Sequence, residues 1–352
     1  MAMTTVVQDG VGSTTGATRA AVGEGSGTAP TNRPWVTRRH VQVGLGVLWL
    51  LDGLLQLQPY MFTRKFGTQV IAPTAVGQPA WVSWPVHHTA LVIAAHPVPT
   101  DGLFALVQLA LGVGLLWRRT ARLAAATSVL WAGGVWFFGE GLGGLAGGTA
   151  SLLTGGPGAA ALYAVLALAA WPTRGTGSAP DAREEPVASW FPLAWAAIWL
   201  DGALLSLLPA NRSASAVESQ LVTTAGQVPV WLDHIDRWAI AGVGHLGGLA
   251  VLLLVSVPAL IGVAGLGSPR WRQVAAGAGV VVALGVWVVG EAFGQLASGS
   301  ATDPNTGPLL MLSALALLGV TGWRPSRGDV TTTSRTGPER AGRIAPSGTP
   351  AG

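Results

Sequence analysis

The 352-residue sequence predicts an all-α polytopic membrane protein: eight transmembrane helices in two parallel four-helix repeats, N- and C-termini cytoplasmic. Three observations predict it. Half of the residues are hydrophobic and only 10% are charged, where a soluble domain carries about a quarter charged residues. Apolar runs able to form a helix of about 20 residues, the length that crosses the hydrocarbon core, recur along the whole chain. Sequence motifs also return at a spacing of about 150 residues, which marks internal duplication.

Residues 1–37 are rich in Thr, Gly, Ala and Ser and have no apolar face, so they read as a disordered tail. No basic region precedes an early apolar core, so they do not read as a signal peptide. Arg38 and Arg39 anchor a first span at 40–58 on the inner side. A long outer loop follows, at 59–98. Its short apolar pieces with Trp and Pro lie along the interface or fold back on the bundle. Spans at 99–117, 121–143 and 156–172 complete a first membrane repeat, 38–172, with the "RRTAR" turn at Arg118–Arg122 between its second and third spans. A polar linker, 173–189, leads to the second membrane repeat, 190–323. Its spans are 190–208, 242–266, 273–296 and 306–323, with an outer loop at 209–241 and the turn "SPRWR" at Ser268–Arg272. Residues 324–352 are polar, Pro/Ser/Thr-rich and basic, and read as a second disordered tail.

Orientation follows from the basic residues. With a cytoplasmic N-terminus, 16 of the 20 Lys and Arg residues fall on inner segments, and only Arg64, Lys65, Arg212 and Arg237 fall outside. Lys65 is the one lysine. The arginine bias fits a GC-rich bacterial genome and hence a bacterial plasma membrane. The arginines flank apolar segments and do not gather on a soluble module, so nucleic acid is not an expected partner; the lipid bilayer is. The absence of cysteine excludes disulfides, thiol redox chemistry, Fe–S clusters and Cys-ligated metal. No nucleophile triad, phosphate loop or nucleotide fingerprint is present, which argues against an enzyme.

The duplication is specific. "WLLDGLLQLQP" at Trp49–Pro59 returns as "WLDGALLSLLP" at Trp199–Pro209, and "TQVIAPTAVGQPAW" at Thr68–Trp81 as "SQLVTTAGQVPVW" at Ser219–Trp231. Trp136–Pro157 matches Trp287–Pro308 without a gap, with ten identities in 22 positions. Repeats with an even number of spans share one orientation and are related by an axis along the membrane normal.

Four acidic residues are the candidate solute- or ion-binding groups: Asp52 and Glu140, with their counterparts Asp201 and Glu291. Ionised carboxylates within apolar spans are costly and mark functional sites by default. At a rise of about 1.5 Å per residue, Asp52 lies about 20 Å above the inner edge and Glu140 about 27 Å, both in the outer half. Helical spacing puts Trp136, Glu140 and Gly143 on one face, and Trp287, Glu291 and Gly294 on another, where glycine admits a close approach. His96 and His245 recur at the spacing of the Asp pair. His, Asp and Glu together are ordinary ligands of a divalent metal, the one cofactor class these residues suggest. Each acid also admits a structural reading. Asp52 and Asp201 would bond a neighbouring helix or carry a proton permanently, and Glu140 and Glu291 would reach water or cap a loop.

"RHVQVGLGVLWLLDGLLQL" at Arg39–Leu57 and "LALGVGLLWRRTARLAAATSVLWA" at Leu109–Ala132 resemble DoxX-like membrane proteins. The resemblance implies a four-helix unit, here duplicated. It also implies a membrane subunit of a quinone-linked oxidoreductase, which would need a membrane partner subunit. The whole chain further resembles uncharacterised actinobacterial polytopic membrane proteins. Three functions stay open from the sequence: a transporter or ion- or metal-handling protein with paired acidic sites near the outer face, the redox subunit, and a non-catalytic membrane scaffold.

Overall fold

The computed structural model describes residues 36–172, 185–225 and 233–320. Nearly all of the two expected tails, most of the linker and the end of the second loop motif lie outside the described residues. Among the described residues there are eleven α-helices and no strand. They are α1 (Arg38–Leu55), α2 (Ala80–Ala95), α3 (Pro97–Leu116), α4 (Ala121–Gly134), α5 (Ala159–Ala169), α6 (Phe191–Leu205), α7 (Ala214–Ala225), α8 (Asp233–Leu246), α9 (Gly248–Gly265), α10 (Pro269–Gly285) and α11 (Thr306–Gly319).

Four helical segments are long and apolar enough to cross a membrane: Pro97–Leu116, Ala121–Gly139, Gly248–Gly265 and Pro269–Gly290. Their outward faces carry exposed Leu103, Leu106, Leu123, Leu130, Leu252, Leu260 and Val281. Water would penalise so broad an apolar surface, which suits a lipid surrounding. Of the other expected spans, the fourth, fifth and eighth form helices of 11, 15 and 14 residues. Such helices reach only about 16–22 Å. The expected span 242–266 is two helices, because Gly247 breaks the chain at φ 54° and ψ −127°. The segments 59–98 and 209–241 hold helices of their own, α2 and α7. Met61, Phe66, Val82, Val86 and Ile93 bury a second small core under the first loop.

Periodicity explains which face turns inward. On α1 the buried residues Val41, Leu45, Trp49 and Asp52 recur every three or four positions, so Asp52 shares the core face with a tryptophan, while Val47 and Leu54 are exposed. On α3 the inward row is Asp101, Ala105, Gln108, Leu111 and Leu115. The two helices cross where a side chain on Gly112 would stand 2.8 Å from the Gly46 carbonyl, the close approach that small residues permit between membrane helices. Arg39 does more than anchor α1: it donates to the carbonyls of Leu115 (2.8 Å) and Leu116 and so satisfies the open end of α3. Arg38 pairs with Glu185 at 3.1 Å and donates to the Trp171 carbonyl at 2.9 Å.

Candidate binding cavity

The motif Trp-x-x-Gly-Glu-x-x-Gly closes a clasp between one helix end and the next helix start. After α4 the chain makes a π turn at Val135–Gly139, then turns through Leu142 and Gly143 at positive φ. The helix therefore ends at Glu140, and the expected common face of Trp136, Glu140 and Gly143 does not exist. The residues meet differently. The Trp136 indole N–H donates to the Pro157 carbonyl at 2.7 Å. Gly143 packs on that same carbonyl so closely that a Cβ would collide with it. Glu140 Oε1 accepts from the Ala160 N–H at 3.1 Å, at the start of α5. The second motif does likewise: a π turn at Val286–Gly290, Trp287 donating to the Pro304 carbonyl at 2.8 Å, and Gly294 packed on Pro304. The loop motifs are clamps. Thr74 Oγ1 donates to the Gly139 carbonyl at 2.9 Å, and its counterpart Thr224 donates to the Gly290 carbonyl at 3.2 Å.

The gapless match does not survive to its end. Pro157 takes the place of Pro304 and not of Pro308, because the first motif's loop contains an extra turn, Leu152–Thr154. Each loop then reaches into the other half of the chain. Gln58 donates to the Ala301 carbonyl at 3.1 Å, and Asn211 to the Ala150 carbonyl at 2.7 Å.

In the first half this arrangement leaves a chamber of about 500 Å³. Asp52 from α1, Glu140 from the clasp and Asp303 from the crossing loop line it together, with Gln56, Gln108 and Tyr163. Its walls are aromatic: Trp49, Phe66, Phe104, Trp131, Phe138 and Tyr163. Among the described residues no Lys, Arg or His lines it. Glu140 Oε2, Asp52 Oδ1 and the Trp131 indole N–H are buried without a hydrogen-bond partner. Tyr163 stands beside Asp52 and packs on Trp49 with ring centroids 4.2 Å apart. Asp303 accepts from Thr302 Oγ1 and the Asn305 N–H, both at 2.7 Å. Burial nonetheless pushes its carboxyl above the ordinary value of 3.8, against the pull of those two bonds.

Two further spaces share walls with the chamber. A polar vestibule of about 710 Å³ meets it at Thr74, Glu140, Thr302 and Asp303. An apolar groove of about 580 Å³ meets it at Thr89, Ile93, Phe104 and Phe138.

No family model, curated protein or solved structure matches the chain. The chemistry of the cavity therefore has to carry the functional reading.

The second half has the same motif in different surroundings. Glu291 is consumed as a helix cap, accepting from the Thr306 N–H at 3.2 Å, the Thr306 hydroxyl and the Gly307 N–H at 3.0 Å. Asp201 is half-buried with Oδ2 unpartnered. Leu152 of the first loop packs on Gly202, the Leu153 carbonyl packs on Gly290, and Trp195 and Trp199 fill the core beside them. The structure thus brings Asp52 and Glu140 to one cavity, with Asp201 and Glu291 outside it. His96 lies exposed between α2 and α3, and His245 lies exposed on α8; neither lines the chamber. Among the described residues no group of three or more His, Asp or Glu is placed to hold a metal ion, so the expected His–Asp–Glu set does not form.

Sequence reasoning missed Asp303, Tyr163, Gln56 and Gln108. It also missed Asp101, fully buried with neither carboxylate oxygen partnered. An acid one turn into an apolar run, after "HPVPTDG", was the available signal for Asp101. Nothing in the local sequence of "SATDPNTG" points to a site in the other half.

Proposed function

We propose that this chain is a transporter for a cationic solute, with its binding site in the chamber of the first half. One observation carries the reading: three carboxylates line a buried, aromatic-walled space that has no basic residue on its described walls. Unpaired buried carboxylates are costly, and a bound cation, or a proton in its place, relieves that cost. Placement between a polar vestibule and an apolar groove suits a solute that passes through. The wider architecture belongs to the same proposal: eight crossings as two parallel four-span repeats, both termini cytoplasmic, in a bacterial plasma membrane. The asymmetry of basic residues and the repeated clasps support it. The short helices α5, α6 and α11 then cross with the help of loop backbone buried in protein, which a membrane interior tolerates.

The test is uptake by proteoliposomes of methylammonium, choline, tetraphenylphosphonium, Na⁺ and Mn²⁺ under an imposed gradient. Uptake of at least one cation, lost in Asp52→Asn and Glu140→Gln, supports the proposal. Uptake of none, or equal uptake by the variants, refutes it.

A second reading has its own observation. The unpartnered Trp131 N–H and the Tyr163 hydroxyl are donors on an aromatic chamber, and a quinone offers two carbonyl acceptors. This is the redox-subunit reading that the DoxX-like resemblance implies. Quinone copurifying in stoichiometric amount with the wild type would favour it over the cation.

A further inference from the structure

We propose that the solute is a lipophilic organic cation that reaches the chamber sideways from the bilayer; this rests on the cation-transport reading above. A tightly held metal ion needs several charged or imidazole ligands converging at short range, and among the described residues no group of three or more His, Asp or Glu is placed to hold one. The chamber instead surrounds its carboxylates with aromatic rings, and an organic cation gains from both, through ion pairing and through the ring faces. A space of about 500 Å³ is the size of a drug-like ligand pocket.

The route follows from what shares a wall with what. The groove beside the chamber is lined by Trp84, His88, Val92, Phe104, Phe137 and Phe138, and is almost wholly apolar. Among its described residues the one side chain that can carry positive charge is His88, whose Nδ1–H donates to the Trp84 carbonyl at 2.8 Å and whose ring lies tilted against Trp84 with centroids 4.0 Å apart. Phe104, Phe138, Thr89 and Ile93 line both groove and chamber. An amphipathic cation would keep its apolar body against this groove and turn its charge inward to Asp52 and Glu140.

The experiment uses the full chain in vesicles and two probes with similar aryl bodies: tetraphenylphosphonium, charged, and triphenylphosphine oxide, neutral. Tetraphenylphosphonium should bind at least about tenfold more tightly, a factor of ten corresponding to one decade in Kd. Equal affinity, or tighter binding of the neutral probe, overturns the proposal. If tetraphenylphosphonium does not bind while methylammonium or Mn²⁺ binds in an Asp52-dependent manner, the lipophilic class fails and the cation site stands. If no cation binds, both fail. The route is tested by Thr89→Trp at the groove wall and Ser300→Trp at the vestibule wall. Slower loading of tetraphenylphosphonium from the membrane in Thr89→Trp alone supports lateral access. Slower loading in Ser300→Trp alone overturns it.

Discussion

Glu291 accepts backbone hydrogen bonds from Thr306 and Gly307 at 3.2 and 3.0 Å, whereas its counterpart Glu140 accepts one, from Ala160 at 3.1 Å, and leaves Oε2 buried and unpartnered. The same residue in the same repeated motif is a finished helix cap in one half and half a cap in the other. The two sequence-matched clasps thus differ in how fully the acid caps the helix that follows.

Stability should register this difference. Hydrogen bonds to a charged group contribute about 1.5–3 kcal/mol, and a glutamine at 291 turns an N–H₂ toward a backbone donor. Glu291→Gln should therefore lower unfolding free energy by about 1–3 kcal/mol. Glu140→Gln keeps its single acceptor and should lose less. Thermal unfolding of both variants in detergent checks this, and an equal or reversed order would contradict the stronger cap at Glu291.

The clasp glycines should be irreplaceable, unlike glycines nearby. Gly143 and Gly294 sit at φ 60° and 64° with a carbonyl where a Cβ would go. Alanine at either should cost about 2 kcal/mol or more through strain and displacement of the loop. Gly133 is helical with open space around it. Gly133→Ala should be neutral or stabilise by about 0.5–1 kcal/mol. Comparing the three melting temperatures decides it.

The crossing loops should hold the halves together unequally. Asn211 is buried, donates to the Ala150 and Leu205 carbonyls at 2.7 and 2.8 Å, and accepts from Gln220 at 2.8 Å. Asn211→Ala strands all three groups and should cost about 1–3 kcal/mol. Gln58→Ala removes a part-buried donor and should cost about 1 kcal/mol or less. Limited proteolysis of the two variants should show earlier cleavage within 145–158 only for Asn211→Ala.

Much of this was legible in the sequence. The long apolar segments around α3, α4, α9 and α10 stood out because composition alone fixes them, and the clasp stood out because ten of its positions recur. What Trp136, Thr74 and Gly143 do was not legible, since each acts on a carbonyl brought close only by the tertiary fold. The helical face drawn through Glu140 failed for a local reason: a π turn and positive φ at Leu142 and Gly143 end the helix there. Asp303 was out of reach for a longer-range reason, because it serves a chamber built by the other half. His96 and His245 both stand exposed at the turn into the next apolar helix, α3 and α9, and neither lines the chamber.

Affinity for a permanent cation should rise with pH. The carboxyl of Asp303 is held above its ordinary value of 3.8 by burial, so in the folded chain it stays protonated to higher pH than when unfolded. Two consequences share that window. Without ligand, stability contributed by the protonated group is lost as pH rises from the unfolded value through the folded one. With a fixed positive charge in the chamber, ionisation becomes favourable and binding tightens over the same range. Binding measured across that range should strengthen with pH in the wild type and less steeply in Asp303→Asn, where Asp52 and Glu140 remain in the chamber. Weakening with pH would contradict a cation at this carboxylate.

The cysteine-free chain allows orientation to be tested directly. Thr149→Cys and Ser298→Cys, both exposed beyond their clasps, should react with an impermeant maleimide from the outer side. Arg119→Cys should react only from the inner side. Opposite labelling of Thr149→Cys and Ser298→Cys would contradict parallel repeats.

The most direct test is equilibrium binding of the cation panel to purified full-length protein, comparing wild type with Asp52→Asn, Glu140→Gln and Glu291→Gln. The expected result is saturable binding of at least one cation, weakened at least about tenfold by the first two substitutions and unchanged by the third. Absence of saturable binding, or wild-type affinity retained in both Asp52→Asn and Glu140→Gln, would contradict a cation site in the chamber.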